Sequence, residues 1–248
     1  NQTLNQLARS SVMMGVPTYY TRLLALPELS VSTCESMRLF ISGSAPLLSS
    51  TFAEFEQRSG HRILERYGMT ETGMSTSNPL NGERKPGTVG FPLPGIRARV
   101  EDDQGVSLPA GNVGNLLIKG PNVFKEYWAM PEKTASDFTE DGFFKTGDMA
   151  IIDTEGYVSI VGRSKDLVIT GGLNVYPKEI ELLIDRCDGV LESAVIGLVD
   201  DDFGERVVAV IVLDGTKSSV AVEECLKLAL HETLASFKRP KSYIFVSS

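Results

Sequence analysis

The sequence predicts an α/β protein whose chain changes style twice, and three observations carry that expectation. Strand-like and helix-like stretches alternate from residue 12 to residue 67, the grammar of a parallel α/β sheet. From Lys85 onward, short apolar segments are punctuated by Pro and Gly, which suits a small β-barrel or sandwich-like unit. After Arg163 an amphipathic helix, a long apolar strand and a second helix make a small α+β unit. The expected divisions are 1–84, 85–164 and 165–248. With 248 residues, 42% of them apolar and 8% aromatic, the chain has the length and composition for real cores.

Each element follows from a local signal. "VMMGV" (12–16) is a short buried strand that ends at Pro17, and a helical stretch follows from Tyr19 to about Leu26. "MRLFIS" (37–42) is a second strand running into "GSAP", after which Leu47, Leu48, Phe52 and Phe55 recur at helical spacing. "RILERY" (62–67) is a third strand, ending at the polar loop "GMTETG". In the middle stretch "IRARVED", "NLLIKG", "AIID" and "YVSIVG" are short strands between turn signals. "DLVITGG" opens the last unit, with a helix from Pro177 to about Asp188 that aligns Ile180, Leu183 and Ile184. The strands "SAVIGLV" and "VVAVIVL", a helix from Val220 to Ala235 and a strand "SYIFVS" complete it.

Composition excludes several classes. Lys and Arg total 24 against 32 Asp and Glu, a formal charge of −8, so no overall field draws the chain to nucleic acid or anionic lipid. No apolar run approaches the roughly 18 residues of a membrane span. Cys34, Cys187 and Cys225 lie far apart without metal-ligand spacing, as reduced core thiols of a cytoplasmic, reducing compartment would.

In an open parallel sheet, ligands bind beyond the carboxyl ends of the strands. Two strands end in small polar loops, Ser42-Gly43-Ser44-Ala45-Pro46 and Tyr67-Gly68-Met69-Thr70-Glu71, expected side by side. Small residues let a ring or phosphate approach the backbone. A hydroxyl at Thr70 beside a carboxylate at Glu71 suits a phosphate oxygen and Mg²⁺. By itself such a pair at a strand end is more often an N-cap for the next helix. Lys145-Thr146-Gly147-Asp148 places a carboxylate after a glycine, in a form that suits two vicinal ribose hydroxyls. Gly162-Arg163-Ser164-Lys165-Asp166 puts two cations at the expected boundary.

The ordered set "SGSAPL" (42–47), "YGMTE" (67–71), "KGPNVFKEYW" (119–128), "KTGD" (145–148), "GRSKDLVITGG" (162–172) and "YPKEIE" (176–181) resembles the adenylate-forming enzymes. These comprise acyl-CoA synthetases, firefly-type luciferases and peptide-synthetase adenylation domains. The resemblance covers essentially the whole chain. It implies part of a large AMP-binding domain, with an α/β portion and a β-barrel subdomain, followed by a small α+β lid. It also implies a two-step reaction: an acid is activated as a mixed anhydride with AMP, and coenzyme A then displaces the AMP.

Carried over by position, Thr70 contacts the α-phosphate, Glu71 holds Mg²⁺, and Asp148 and Arg163 bind the ribose. Ser44, Ala45, Pro46, Glu65, Arg66, Tyr67 and Gly68 frame the adenine and the acyl group. Lys165 is the hinge of the lid, and Gly171 and Gly172 form the turn past which the pantetheine arm enters. Asn115 departs from the family's usual Glu, with a local loss of hydrogen bonding expected there.

The acid reader is sought in "GVPTYYTRLL" (15–24). Helix periodicity alone points Arg22 to solvent. A substrate with a second carboxylate would give it a partner, met bidentately. The wording of these segments resembles malonyl-CoA synthetases, which implies that Arg22 reads the distal carboxylate of malonate or methylmalonate. Ser42 and Gly43 then line the acid site, and Met74 limits its depth. The alternatives are another acyl-CoA or carrier-protein ligase, and a non-catalytic nucleotide-binding module. The family's phosphate-cradling loop and its adenylating lysine match nothing in this sequence, so a fragment inactive by itself is expected.

Overall fold

The computed structural model describes residues 2–247. It forms two compact units, one running through Ile160 and the other from Val161 on.

The first unit opens with α1 (Gln2–Leu7), β1 (Val12–Gly15) and α2 (Pro17–Leu24). It continues through β2 (Leu39–Ser42), α3 (Ser49–Ser59), β3 (Leu64–Met69), β4 (Gly73–Ser77) and β5 (Phe91–Pro92). These five strands form one sheet in the order β1-β2-β3-β4-β5. The first three are parallel, with Val12 opposite Leu39 and Ile41 opposite Leu64, whereas β3–β4 and β4–β5 are antiparallel. Pro17 starts α2, where its missing N–H costs no helical bond. Gly60 ends α3 at φ 75°, the left-handed conformation that closes a helix without a Cβ penalty.

The core beneath this sheet is aromatic. Tyr20, Phe40 and Phe55 are fully buried and meet edge-to-face, with ring centroids 5.2 Å apart for Tyr20–Phe55 and 4.9 Å for Phe40–Phe55. The buried Tyr20 hydroxyl donates to Ile41 O at 2.6 Å, which ties α2 to β2 at the strand's carboxyl end.

The β-rich stretch contains β6 (Arg97–Glu101), β7 (Gly114–Lys119), α4 (Pro131–Asp137), β8 (Phe144–Ile152) and β9 (Val158–Arg163). The expected barrel or sandwich takes the form of a single sheet in the order β6-β7-β8-β9. Val100, Leu116, Ile118, Ala150 and Val158 alternate into its core, and Tyr67 packs against them. Asn115 does not lose its hydrogen bond: its Nδ2 donates to Asp103 Oδ1 at 3.1 Å.

The second unit holds β10 (Val168–Thr170), β11 (Leu173–Val175), α5 (Pro177–Ile184), β12 (Val190–Asp200), β13 (Gly204–Leu213), α6 (Ser219–Thr233) and β14 (Ser242–Val246). Its sheet runs β11-β10-β13-β12, with β14 parallel to β13. Every second residue of β13, Val207, Ala209 and Ile211, packs with Ile180 and Ile184 of α5 and Val222, Leu226 and Leu230 of α6. The Ser218 hydroxyl caps α6 by accepting the Ala221 N–H. α5 stops at Ile184 rather than near Asp188; the Asp185 N–H still donates to Glu181 O at 2.8 Å, and the Asp185 carboxylate accepts a 2.6 Å bond from Ser193 Oγ on β12.

Of the three cysteines only Cys34 is a core thiol; Cys187 is half-buried and Cys225 exposed. Among the described residues no helix is long and apolar enough to cross a membrane.

Candidate active site

The carboxyl ends of the parallel strands open onto a cleft of about 260 Å³. Its walls come from Met14, Gly15, Val16 and Tyr19 around the β1–α2 junction, Ile41, Gly43 and Ser44 at the end of β2, Arg66 and Gly68 on β3, and Met74 on β4. Backbones crowd here. A Cβ at Gly43 would stand 3.1 Å from Arg66 O, and one at Gly68 would stand 2.1 Å from Gly73 O. The floor therefore carries no side chains at these points, and a flat ligand can lie against it. Ser44 sits at φ 67°, a left-handed conformation uncommon outside glycine and enriched at ligand sites.

Gly43 and Met74, two of the residues expected at the acid, line this cleft, as do Ser44, Arg66 and Gly68 from the nucleotide set. Ala45 and Pro46 are exposed in the loop after β2 and are not part of the lining. Ser42 is fully buried, outside the lining, with no hydrogen-bond partner for its Oγ. Arg22 is exposed on the last turn of α2, one turn beyond Tyr19, and is also outside the lining. Glu65, directly opposite Ser42 in the β2–β3 register, is 5% exposed and accepts the Leu47 N–H at 3.2 Å. Burial pushes its carboxyl up to about 7, against the opposing effect of the Leu47 and Gly87 backbone bonds.

The loop that suits a helix cap by sequence is instead the turn of a β-hairpin. Met69 pairs with Gly73, leaving Thr70, Glu71 and Thr72 as the loop. The Thr72 N–H donates to Met69 O at 3.1 Å and Gly73 takes φ 53°, a turn followed by a left-handed residue. β4 lacks the apolar alternation of a strand, which is why the sequence does not announce a second hairpin arm here. Thr70 is exposed and Glu71 half-buried on this tip.

"KTGD" is not a loop but a bulge within β8. Asn115 faces Met149 and Leu117 faces Lys145, so Thr146, Gly147 and Asp148 are accommodated opposite Leu116 alone. Gly147 takes φ 74°, and Thr146 Oγ1 bridges Leu116 O at 2.8 Å and the Asp148 N–H at 3.1 Å. The bulge aims Asp148 at β3, where the Tyr67 hydroxyl donates to its Oδ2 at 2.5 Å. Two segments 81 residues apart in the chain thus meet through one charge-assisted bond.

In the second unit, Arg163 and Lys165 are exposed at the Ser164–Asp166 turn. Gly171 and Gly172 form the two-residue turn between β10 and β11, at φ 57° and 76°, the conformation a tight hairpin requires at both positions. Phe203 lies over this turn; its O accepts the Gly171 N–H at 2.8 Å.

Sequence reasoning assigns no residue roles within "KGPNVFKEYW", yet this segment contacts the Thr70–Thr72 turn directly. Asn122 Nδ2 donates to Thr72 O at 2.6 Å, and the Tyr127 hydroxyl donates to Glu71 Oε1 at 3.3 Å. The signal for it is a pair of aromatics, Phe124 and Tyr127, in a loop otherwise full of turn residues. No group of three or more His, Cys, Asp or Glu side chains converges to hold a metal among the described residues. A single carboxylate such as Glu71 fits Mg²⁺ that arrives with substrate phosphates in its shell.

A sequence model of the AMP-binding enzymes matches residues 4–128, and one of the AMP-binding enzyme C-terminal domain matches residues 179–248. The chain is 40% identical over 240 residues to a malonate–CoA ligase of Arabidopsis thaliana, covering 93% of this chain and 39% of that protein. It is 37% identical over 275 residues to the human protein named malonate–CoA ligase ACSF3, mitochondrial, covering 98% of this chain and 47% of that one. The ATP-bound crystal structure of MatB from Rhodopseudomonas palustris superposes with a TM-score of 0.94 at 58% identity, covering 99% of this chain and 48% of that chain. The chain thus spans less than half the length of each of these relatives.

Proposed function

The chain belongs to the AMP-binding enzymes, and from that premise we propose that it serves an ATP-dependent acyl-CoA synthetase that activates a small dicarboxylic acid, malonate or methylmalonate, and passes it to coenzyme A. In the first half-reaction a carboxylate oxygen attacks the α-phosphorus of ATP, and the bond to the bridging oxygen of pyrophosphate breaks. The thiol sulfur of coenzyme A then attacks the acyl carbon, the bond to AMP breaks, and the thiol proton is lost. The mixed anhydride is needed because a free carboxylate offers no competent leaving group.

The observation that carries this reading is the gathering of the Thr70–Glu71 turn and of Asp148, anchored by Tyr67, around the β3 strand that floors the glycine-lined cleft. In it, the Thr70 hydroxyl serves the α-phosphate and Asp148 the ribose hydroxyls, with Tyr67 fixing the Asp148 carboxylate. Gly43, Ser44 and Gly68 bring backbone to the adenine and the acyl group, while buried Glu65 supports the loop after β2 through the Leu47 N–H. Glu71 would hold Mg²⁺, which when bound offsets phosphate charge. Arg163 is assigned to the ribose, Lys165 to the pivot of the lid, and Gly171 and Gly172 to the passage of the pantetheine arm. A cytoplasmic location for this protein belongs to the same proposal.

Arg22 reads the second carboxylate. Its exposure, one turn past the cleft-lining Tyr19, suits a side chain that swings onto a substrate rather than one packed in advance. The likeness to a plant and a human protein named malonate–CoA ligase supports the same substrate class.

The test is coenzyme A consumption by the complete gene product with acetate, malonate, methylmalonate, succinate and octanoate. Activity with malonate and methylmalonate and a loss of 10²-fold or more in their kcat/KM on Arg22→Ala, with monoacid activity retained, is the expected outcome. Activity confined to monoacids would sink the role given to Arg22.

A further inference from the structure

The turn between β3 and β4 is held from outside its own strands by three contacts from one short segment after β7. Asn122 Nδ2 donates to Thr72 O, and the Phe124 N–H donates to Glu71 O at 2.8 Å. The third contact reaches the functional group itself: the Tyr127 hydroxyl donates to Glu71 Oε1 at 3.3 Å.

Tyr127 is itself fixed on several sides. Its ring meets Phe124 edge-on at 4.6 Å, and Phe124 packs in turn on Phe144 at 5.3 Å. The Tyr127 N–H donates to Thr134 Oγ1 at 3.0 Å, and Lys133 Nζ lies 5.7 Å above the ring. An aromatic scaffold built on β8 and α4 therefore presses one phenol against one oxygen of Glu71.

A glutamate has three rotatable side-chain bonds, and a free one spreads its carboxylate over many directions. We propose that Tyr127 is a positioning residue for the cation end of the site: by engaging Oε1 it holds the Glu71 carboxylate in one orientation and leaves Oε2 to a divalent cation carried by nucleotide phosphates. This rests on the reading of Glu71 as the cation's protein ligand. Outer partners of metal-binding carboxylates commonly change metal affinity by 10–100-fold. The half-buried position and the 3.3 Å length of this bond put Tyr127 at the lower end of that range.

The test is binding of Mn²⁺-ATP to the purified complete gene product, followed by the electron paramagnetic resonance of Mn²⁺, together with metal-free ATP binding by calorimetry and thermal unfolding. The variants are Tyr127→Phe, which keeps the ring packing and removes only the hydroxyl, and Glu71→Gln as the reference. Tyr127→Phe should weaken Mn²⁺-ATP about tenfold, leave metal-free ATP binding unchanged and melt with the wild type. Wild-type Mn²⁺-ATP affinity in Tyr127→Phe, with Glu71→Gln impaired, would overturn the role of Tyr127 and leave Glu71 standing. Equal losses with and without metal, or a lowered melting temperature, would make Tyr127 a structural support only and overturn the proposal too. If Glu71→Gln binds like the wild type, or the wild type shows no metal-dependent binding, the cation reading of Glu71 falls and the proposal with it.

Discussion

Glu65 shows how one residue's environment sets both its charge and its use. The carboxyl is 5% exposed, and burial outweighs its two backbone hydrogen bonds, raising its pKa from 4.5 to about 7. In the unfolded chain the group ionises near its ordinary value, so between about 4.5 and 7 the folded state holds the extra proton. The corresponding stabilisation is fully present below 4.5 and is lost as pH rises through 7. Its size is on the order of 3 kcal/mol. Chemical denaturation at pH 4.5 to 8 should show this fall in the wild type and a flatter profile in Glu65→Gln; parallel profiles would refute the assignment. The sequence marks Glu65 only through the resemblance, because a Glu between Leu64 and Arg66 reads equally well as a surface residue. Burial by the loop of residues 43–48 and by the backbone near Gly87 comes from segments distant in the chain. Tyr127 is hidden for the same reason: its partner Glu71 lies 56 residues away.

Among the elements, β3, β4 and β8 make the site by departing from regular strands, and their glycines do so for different reasons. At Gly68 the bulge against β4 brings Gly73 O within 2.1 Å of where a Cβ would stand, and the collision is with backbone that has no rotamer to yield. At Gly147 nothing lies within 4 Å of the place a Cβ would take, so only the φ of 74° resists a side chain. Gly147→Ala should therefore cost about 1–2 kcal/mol, the left-handed penalty alone, and keep the fold. Gly68→Ala should cost more, about 3 kcal/mol or above, and open the cleft end of the hairpin. Urea unfolding of the two variants measures the contrast, and equal losses would contradict it. The parallel strands are legible in the sequence because β1 and β2 are short apolar runs bounded by Pro or Gly, and β3 breaks off at a polar, glycine-flanked loop. The second arm of the hairpin, "GMSTS", is not, since it buries Ser75 and Thr76 through side-chain hydrogen bonds rather than apolar contacts. The bulge in β8 is equally invisible, because a register shift depends on the partner strand and "KTGD" alone reads as a turn.

For the whole molecule, the chain's two changes of style correspond to three sheets, but compactness divides it only once, between Ile160 and Val161. The composition shift places a boundary a few residues later because β9 runs on to Arg163 as one apolar alternation that carries no mark of the division. From Val161 on, the chain holds what an independent fold needs. It has a five-stranded sheet, two helices covering one face, and a contiguous core from Val168 to Leu234. The Lys238 ammonium grips Glu179 at 2.7 Å and ties the turn after α6 to the start of α5. None of these contacts draws on residues before Val161. A chain of residues 161–248 should therefore unfold in a single cooperative transition, with a stability of about 4–13 kcal/mol at the usual 0.05–0.15 kcal/mol per residue. Coincident near- and far-ultraviolet circular dichroism transitions in urea would establish this. Retained far-ultraviolet signal without near-ultraviolet signal, with strong dye binding, would show instead that the core needs the rest of the chain to pack.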